Sequence, residues 1–282
     1  MSTYSIIDYR SNEASPRSKV SLQQNLISFL DQGEKVVYYA NEKTVITKKQ
    51  FAILSSGNCL MTEKLPLGNS YRSVMMFFSD TAISNFFVKN ASIVERTTSK
   101  SNSPKKPFLV FEKDDFIAAY ITSLTFLQSR SKLFQEQMMA LKFEELMLHL
   151  LEKYPTEILS FQTKSPEVSS DIQIKKAIEL NMNNDLKLDE LAFLCNVSAS
   201  TFKRKFVKLY NETPAQYFLK KKMEIAKVLL MENANPSEVY YQVGYESHSS
   251  FSQSFKQIYG VSPKDFKQQY LIDSKQLLTD QR

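Results

Sequence analysis

At 282 residues, with 43% hydrophobic and 23% charged side chains, the chain has room for two domains with separate cores. A formal net charge of +6 and a pI near 9.0 lean toward acidic partners such as nucleic acid, without selecting one. Two histidines (His149, His248), two isolated cysteines (Cys59, Cys195) and five scattered glycines speak against metal sites, a disulfide framework, histidine-dependent hydrolysis and a phosphate-cradling loop.

Neither a metal nor a cofactor is therefore expected, nor an enzyme. The amino terminus, "MSTYSIIDYRSNEASPR", lacks an apolar signal core, and no apolar run approaches the roughly 18 residues of a membrane span. The expectation is a cytoplasmic protein with no membrane partner.

In chain order, "EKVVYYA" (34–40), "KTVIT" (43–47), "QFAILSS" (50–56), "NCLMTE" (58–63) and "YRSVMMFFS" (71–79) predict short strands in series, a barrel or sandwich. "DTAISNFFVKN" (80–90) reads as helix and "TTSKSNSPKKP" (97–107) as a loop or exposed hairpin. From Asp115 the period becomes helical, with two acids suited to a helix amino end. On the helix predicted over 131–154, Met139, Phe143, Leu146 and Leu150 form one apolar stripe, while Phe134, Leu141 and Leu148 fall nearly opposite. Two opposed stripes fit a core helix, or one that also packs on a second subunit, in which case Phe134, Leu141 and Leu148 would carry dimerisation. His149, between the stripes, reads as a surface or packing residue. "YPTEILSFQTKSPEVSS" (154–170) is the best boundary, and everything after Asp171 reads as helices joined by short turns.

One small pattern then occurs twice. In "KLDELAFLCNVSASTFKRKFVKLY" (187–210), Leu188, Leu191 and Ala192 face inward on a short helix and "CNV" makes the turn. Ser198 caps a second helix whose inner face is Phe202 and Phe206, so the pair reads as a helix-turn-helix. The outer face of the second helix carries Ser200, Thr201, Lys203, Arg204, Lys205 and Lys208. A basic stripe is usually a solvated face, but here it occupies the element that enters the major groove in this motif. Arg204 suits guanine, and the lysines suit phosphates. In "NPSEVYYQVGYESHSSFSQSFKQIYG" (235–260), Asn235, Pro236 and Glu238 start a helix, Gly244 sits in the turn and Ser247 caps the next helix. Phe251 and Phe255 face in, with His248, Ser249, Ser250, Ser252, Gln253 and Lys256 on the exposed side.

These residues, with "TPAQYFLKKKMEIAKVLL" (213–230) and the repeated Thr213–Pro214–Tyr217 and Ser262–Pro263–Phe266 punctuation, resemble the AraC/XylS family of bacterial transcription regulators over about 171–270. The resemblance implies a DNA-binding unit whose two helix-turn-helices are bridged by a long helix, here roughly 214–232. It also implies a cupin-like amino-terminal domain followed by dimerisation helices. The chain departs from the family pattern at Tyr240, where alanine is usual and where bulk must enter a wider gap or tilt the second motif, at Lys222 for arginine, and at Lys187 for a capping serine or threonine. "LKFEELMLHLLEKYP" (141–155) resembles the subgroup of the type III secretion activator ExsA, in which a partner protein controls the regulator.

The expected fold class is thus α+β: a β-rich domain with carboxy-terminal helices over 1–160, a linker over 161–170 and an all-α DNA-binding domain over 171–282. The expected function is a sequence-specific transcription regulator, an activator, acting as a homodimer on double-stranded promoter DNA and with RNA polymerase. It would work at the nucleoid and be controlled by a small effector or a partner protein. Two competing classes remain. A metal cupin fused to a DNA-binding tail needs histidines that residues 34–80 lack, and a non-specific architectural protein predicts basic residues on both reading faces.

Overall fold

The apolar–polar alternation of the first third folds, in this computed structural model, into nine strands among the described residues. These residues are 3–40, 42–65, 70–97, 105–129, 132–161, 170–181, 186–232 and 234–279. One antiparallel sheet runs in the order β1 (Tyr4–Ser11), β8 (Tyr71–Phe78), β3 (Asn25–Gln32), β6 (Gln50–Leu54), β9 (Phe108–Glu112). The other runs β2 (Ser15–Leu22), β7 (Gly57–Lys64), β4 (Glu34–Tyr38), β5 (Lys43–Thr47). The strands expected from Glu34 onward are present, and β1, β2, β3 and β9 join them.

Period two divides the larger sheet between two cores. Ile27 and Phe29 of β3, with Met76 and Phe78 of β8, face a core shared with helices, whereas Leu26, Leu30 and Tyr71 face a second core with Val37, Ile46 and Cys59 of the smaller sheet. The β3–β4 turn needs Gly33. Its φ is +95°, and a Cβ there would lie 2.7 Å from the Lys64 carbonyl oxygen and from the Tyr71 ring.

Six α-helices follow in chain order: α1 (Asp80–Lys89), α2 (Ala91–Thr97), α3 (Asp115–Thr125), α4 (Lys132–Lys153), α5 (Pro155–Ser160) and α6 (Ser170–Asn181). Of these, α1, α3, α4 and α5 supply buried residues to the first core. Asp114 starts α3 by accepting from the Ile117 N–H at 2.9 Å, and also meets Lys153 Nζ at 2.7 Å and His149 Nε2 at 3.2 Å. Partial burial would raise its carboxyl, but Lys153, the Ile117 N–H and His149 hold it down at about 2. His149 stacks on Phe116, with ring centroids 4.0 Å apart, so it is a packing residue that fastens α4 to α3.

The stripe of Met139, Phe143, Leu146 and Leu150 is buried as expected, with Phe143 4.8 Å from Phe78. The opposite stripe divides. Phe134 and Leu141 are 62% and 67% exposed, but Leu148 is half-buried against the first core, because Met147 and Leu151 widen the buried face in this half of α4. The expected boundary over 154–170 begins later than its prolines suggest: α5 runs to Ser160, Phe161 is buried, and residues 162–169 lie outside the described set. So does most of the expected loop over 97–107.

By compactness the chain divides into Met1–Leu180 with Asp189–Val197, and Asn181–Leu188 with Ser198–Arg282. The first unit thereby includes α7 (Leu188–Leu194) from Asp189 on, where Lys19 meets Asp189 at 2.7 Å and Arg17 meets Glu190 at 3.3 Å. The second unit holds α8 (Ala199–Tyr210), α9 (Pro214–Met231), α10 (Pro236–Gln242), α11 (His248–Tyr259) and α12 (Pro263–Thr279). Its described core gathers Met223, Ala226 and Leu230 of α9 against Val239, Val243, Phe251 and Phe255.

Candidate nucleic-acid interface

The two copies of the sequence pattern fold alike, bond for bond. The first turn closes with the Val197 N–H donating to the Ala192 carbonyl at 3.1 Å, and Asn196 takes φ +56°. The second closes with the Tyr245 N–H donating to the Tyr240 carbonyl at 2.9 Å, and Gly244 takes φ +74°. Each following helix begins on a serine. Ser198 Oγ accepts from the Thr201 N–H and Ser247 Oγ from the Ser250 N–H, both at 3.2 Å. Each ends on a left-handed residue, Asn211 at φ +56° and Gly260 at φ +78°.

An aromatic box under each helix accounts for the repeated punctuation. Phe206 lies 4.7 Å from Tyr210 and 5.4 Å from Tyr217; Phe255 lies 4.7 Å from Tyr259 and 5.5 Å from Phe266. Thr213 and Ser262 each start the next helix with a side-chain cap, on Gln216 and Asp265 respectively, which delivers Tyr217 and Phe266 to the box. Buried phenylalanines on one side leave the other side of α8 and α11 in solvent.

Those outer faces carry the expected residues. On α8, Ser200, Lys203, Arg204 and Lys208 are exposed, while Thr201 and Lys205 are half-buried. On α11, His248, Ser249, Ser250, Gln253 and Lys256 are exposed and Ser252 is half-buried. Ser198 and Ser247 are exposed too, but their hydroxyls are engaged in capping, so their work is to begin the helices. Lys208 and Lys256 stand in the last turns, where a cation also favours the helix dipole.

Two family profiles match. The ExsA N-terminal regulatory domain matches residues 25–161, and a helix-turn-helix domain matches residues 191–269, spanning both copies. The chain carries an ExsA-type regulatory domain and an AraC-type helix-turn-helix domain, and its homologues are AraC-family regulators.

Among its AraC-family relatives, the probable transcriptional regulator LumQ of Photobacterium leiognathi is 32% identical over 39% of this chain and 45% of its own length. The virulence regulon transcriptional activator VirF of Yersinia enterocolitica is 25% identical over 58% of this chain and 60% of its own. The chain thus spans about half the length of the curated relatives it matches. Among solved structures, ToxT from Vibrio cholerae is similar at a TM-score of 0.40 and 12% identity, over 94% of this chain and 98% of ToxT. The likeness to AraC-family regulators rests on the sequence matches.

Sequence reasoning passed over one feature of the chain, a polar cluster buried between the two sheets. Lys35 Nζ donates to Ser28 Oγ at 3.2 Å and sits 5.7 Å from the centroid of the Tyr71 ring, while Ser28 and Ser73 bond at 2.9 Å. Nearby, Tyr9 donates to the Glu63 carboxylate at 3.0 Å, and the Tyr71 hydroxyl is buried without a hydrogen-bond partner among the described residues. Burial pushes the Lys35 ammonium below its ordinary value, against the pull of Glu63. The signal was available in parity: Lys35, Val37 and Tyr39 alternate with the same period, so a lysine stands where the pattern demands an apolar residue.

No helix among the described residues is long and apolar enough to cross a membrane, and no group of three or more His, Cys, Asp or Glu among them could hold a metal.

Proposed function

We propose that this chain is a sequence-specific DNA-binding transcription regulator, an activator, that reads two successive major-groove segments with α8 and α11. The observation that carries the reading is the repeated architecture itself. Two helices with the same turn, cap and aromatic box each present an uncovered polar face of side chains suited to DNA. Arg204 is the candidate for a bidentate guanine contact, Lys203 and Lys208 for phosphates, and His248, Ser249 and Gln253 for base edges in the second segment. Of the twelve residues expected to serve DNA binding, Ser200, Thr201, Lys203, Arg204, Lys208, His248, Ser249, Ser250, Gln253 and Lys256 are contact residues in this reading, and Ser198 and Ser247 are caps.

On this reading, residues 171–282 form the DNA-binding region, residues 1–160 the regulatory and dimerisation domain and 161–170 the linker. Homologues are transcription regulators rather than enzymes, which favours the absence of catalysis here. Work on chromosomal DNA with RNA polymerase would place the protein in the cytoplasm. Phe134 and Leu141 are the candidate homodimer contacts, with Leu148 supporting them from below. Control by a partner protein accords with the match to the ExsA regulatory domain. The small-effector alternative has its own support in Lys35 and Tyr71, two buried donors with unused hydrogen-bonding capacity, which an acidic effector could fill.

The test compares Arg204→Ala with Lys208→Ala on a systematically mutated promoter site. Arg204→Ala should relax preference at one base pair by about 1–3 kcal/mol. Lys208→Ala should weaken binding to all sequences and flatten its salt dependence. Identical behaviour of the two variants would remove the assigned roles.

A further inference from the structure

Where the first helix-turn-helix has Ala192, wholly buried, the second has Tyr240. Both residues supply the carbonyl that closes their turn, so the backbone is the same and only the side chain differs. The tyrosine fits without opening the motif: Val239, Val243, Phe251 and Phe255 stay buried together, and the Tyr240 ring lies half-buried along their edge. From there it reaches His248, the first residue of α11. The two ring centroids are 6.0 Å apart and the planes meet at 82°, an edge-to-face contact.

His248 is held on two further sides. Its ring lies 6.4 Å from that of Phe251 at 66°, and Ser252 Oγ, one turn along α11, stands 3.5 Å from Nδ1. An exposed side chain at a helix start ordinarily samples several rotamers. Here Tyr240, Phe251 and Ser252 between them leave Nε2 as the outward nitrogen. In the tautomer in which the Ser252 hydroxyl donates to Nδ1, the imidazole carries its proton on Nε2 and is a donor, matched to guanine O6, thymine O4 or a purine N7.

We propose that Tyr240 is a positioning residue for base reading. It seats the imidazole of His248 so that Nε2–H makes one directed hydrogen bond to an acceptor on a base edge. The proposal rests on the DNA-reading role of α11 given above. The first motif needs no such support, because Arg204 reaches out on a long side chain of its own.

The experiment uses the full-length chain and a promoter duplex randomised across the segment facing α11, read as relative affinity for each base. His248→Ala should erase the preference at one base pair. Tyr240→Ala should weaken the preference at that same base pair, on the order of 3–10-fold, the scale of an aromatic pair. Tyr240→Phe, which keeps the ring, should restore it. Combining His248→Ala with Tyr240→Ala should be no worse than His248→Ala alone, since both act through one contact. The salt dependence should not move, because no phosphate contact is lost. Tyr240→Leu, which fills the half-buried space without an aromatic ring, should reproduce Tyr240→Ala if the latter proves unstable in a thermal melt.

If His248→Ala erases the preference while Tyr240→Ala and Tyr240→Leu leave it intact, the positioning role is overturned and the reading role stands. Equal weakening on every sequence would likewise overturn it, marking Tyr240 as packing alone. If the wild-type chain shows no base preference over this segment, the reading role of α11 falls, and the proposal falls with it.

Discussion

Replacing Lys35 by methionine removes an ammonium from between two sheets and leaves an unbranched side chain of similar volume. The structure gives that ammonium little in return for its lost hydration. It has one hydrogen bond, to a serine hydroxyl at 3.2 Å, and a position beside the Tyr71 ring, while no carboxylate of the described residues forms an ion pair with it. Ser28 keeps its bond to Ser73 in the variant, so no polar group beneath is orphaned; the cost is the loss of Lys35's attraction for Glu63, which retains Tyr9. Exchanging a poorly compensated buried charge for an apolar side chain commonly stabilises by about 1–4 kcal/mol. With the Glu63 attraction deducted, about 1–3 kcal/mol is expected, or roughly 3–10 °C in the melting of a domain of this size. Calorimetry of the full-length chain should show the strand-rich unit's transition rising while that of the helical unit stays put. The advantage should also depend on pH. The folded-state pKa of Lys35 lies below its ordinary 10.5, so the penalty of charging it inside is complete at low pH. It fades as pH climbs through the depressed value toward 10.5, and the gap between variant and wild type should narrow accordingly. A loss of stability by more than about 1 kcal/mol, or a gap that widens with alkali, would refute the reasoning and mark the ammonium as a satisfied structural cation.

Two further outcomes are expected in the amino-terminal unit. Asp114→Ala should cost about 1–2 kcal/mol, through loss of the α3 cap and of the links to His149 and Lys153. Because the folded Asp114 titrates at about 2, this contribution is present above its ordinary 3.8 and lost as pH falls from there toward 2. Thermal melts of variant and wild type should therefore draw together in acid; a difference undiminished at pH 2 would point to packing instead. Phe134→Glu with Leu141→Glu should turn a dimer into a folded monomer in analytical sedimentation, since both side chains are exposed in the single chain. Sedimentation identical to wild type would clear this stripe of any role in assembly.

The helical region was legible because its signals are local. Ser198, Ser247, Thr213 and Asn235 announce helix starts by chemistry that operates within three residues, and each is a cap in the structure. Phe202–Phe206 and Phe251–Phe255 give the inner faces directly. The first strands were harder. In "YSIIDYRS" and "SPRSKVSL" the apolar residues are few, and strand pairing across the chain supplies what the local pattern lacks. Leu148 illustrates another limit: wheel angle places a residue on a face, but how deeply the helix sinks at that turn depends on the sheet beneath it. Tyr240 was read as an obstruction by its volume alone. Its half-buried position shows that a bulky side chain at a close crossing can lie along the edge of the core.

The placement of the first two strands has a consequence for any shortened form of this protein. Among the described residues β1 pairs only with β8 and β2 only with β7, so these two strands form an outer border of each sheet. The regulatory-domain match begins at residue 25, just past them. A chain trimmed to that boundary would bare the backbone donors and acceptors of "YRSVMMFF" and "GNCLMTEK" together, two segments with little charge to deter pairing with a neighbour. Such a fragment would keep nearly all of its core and still clump, one molecule supplying the border strand that another lacks.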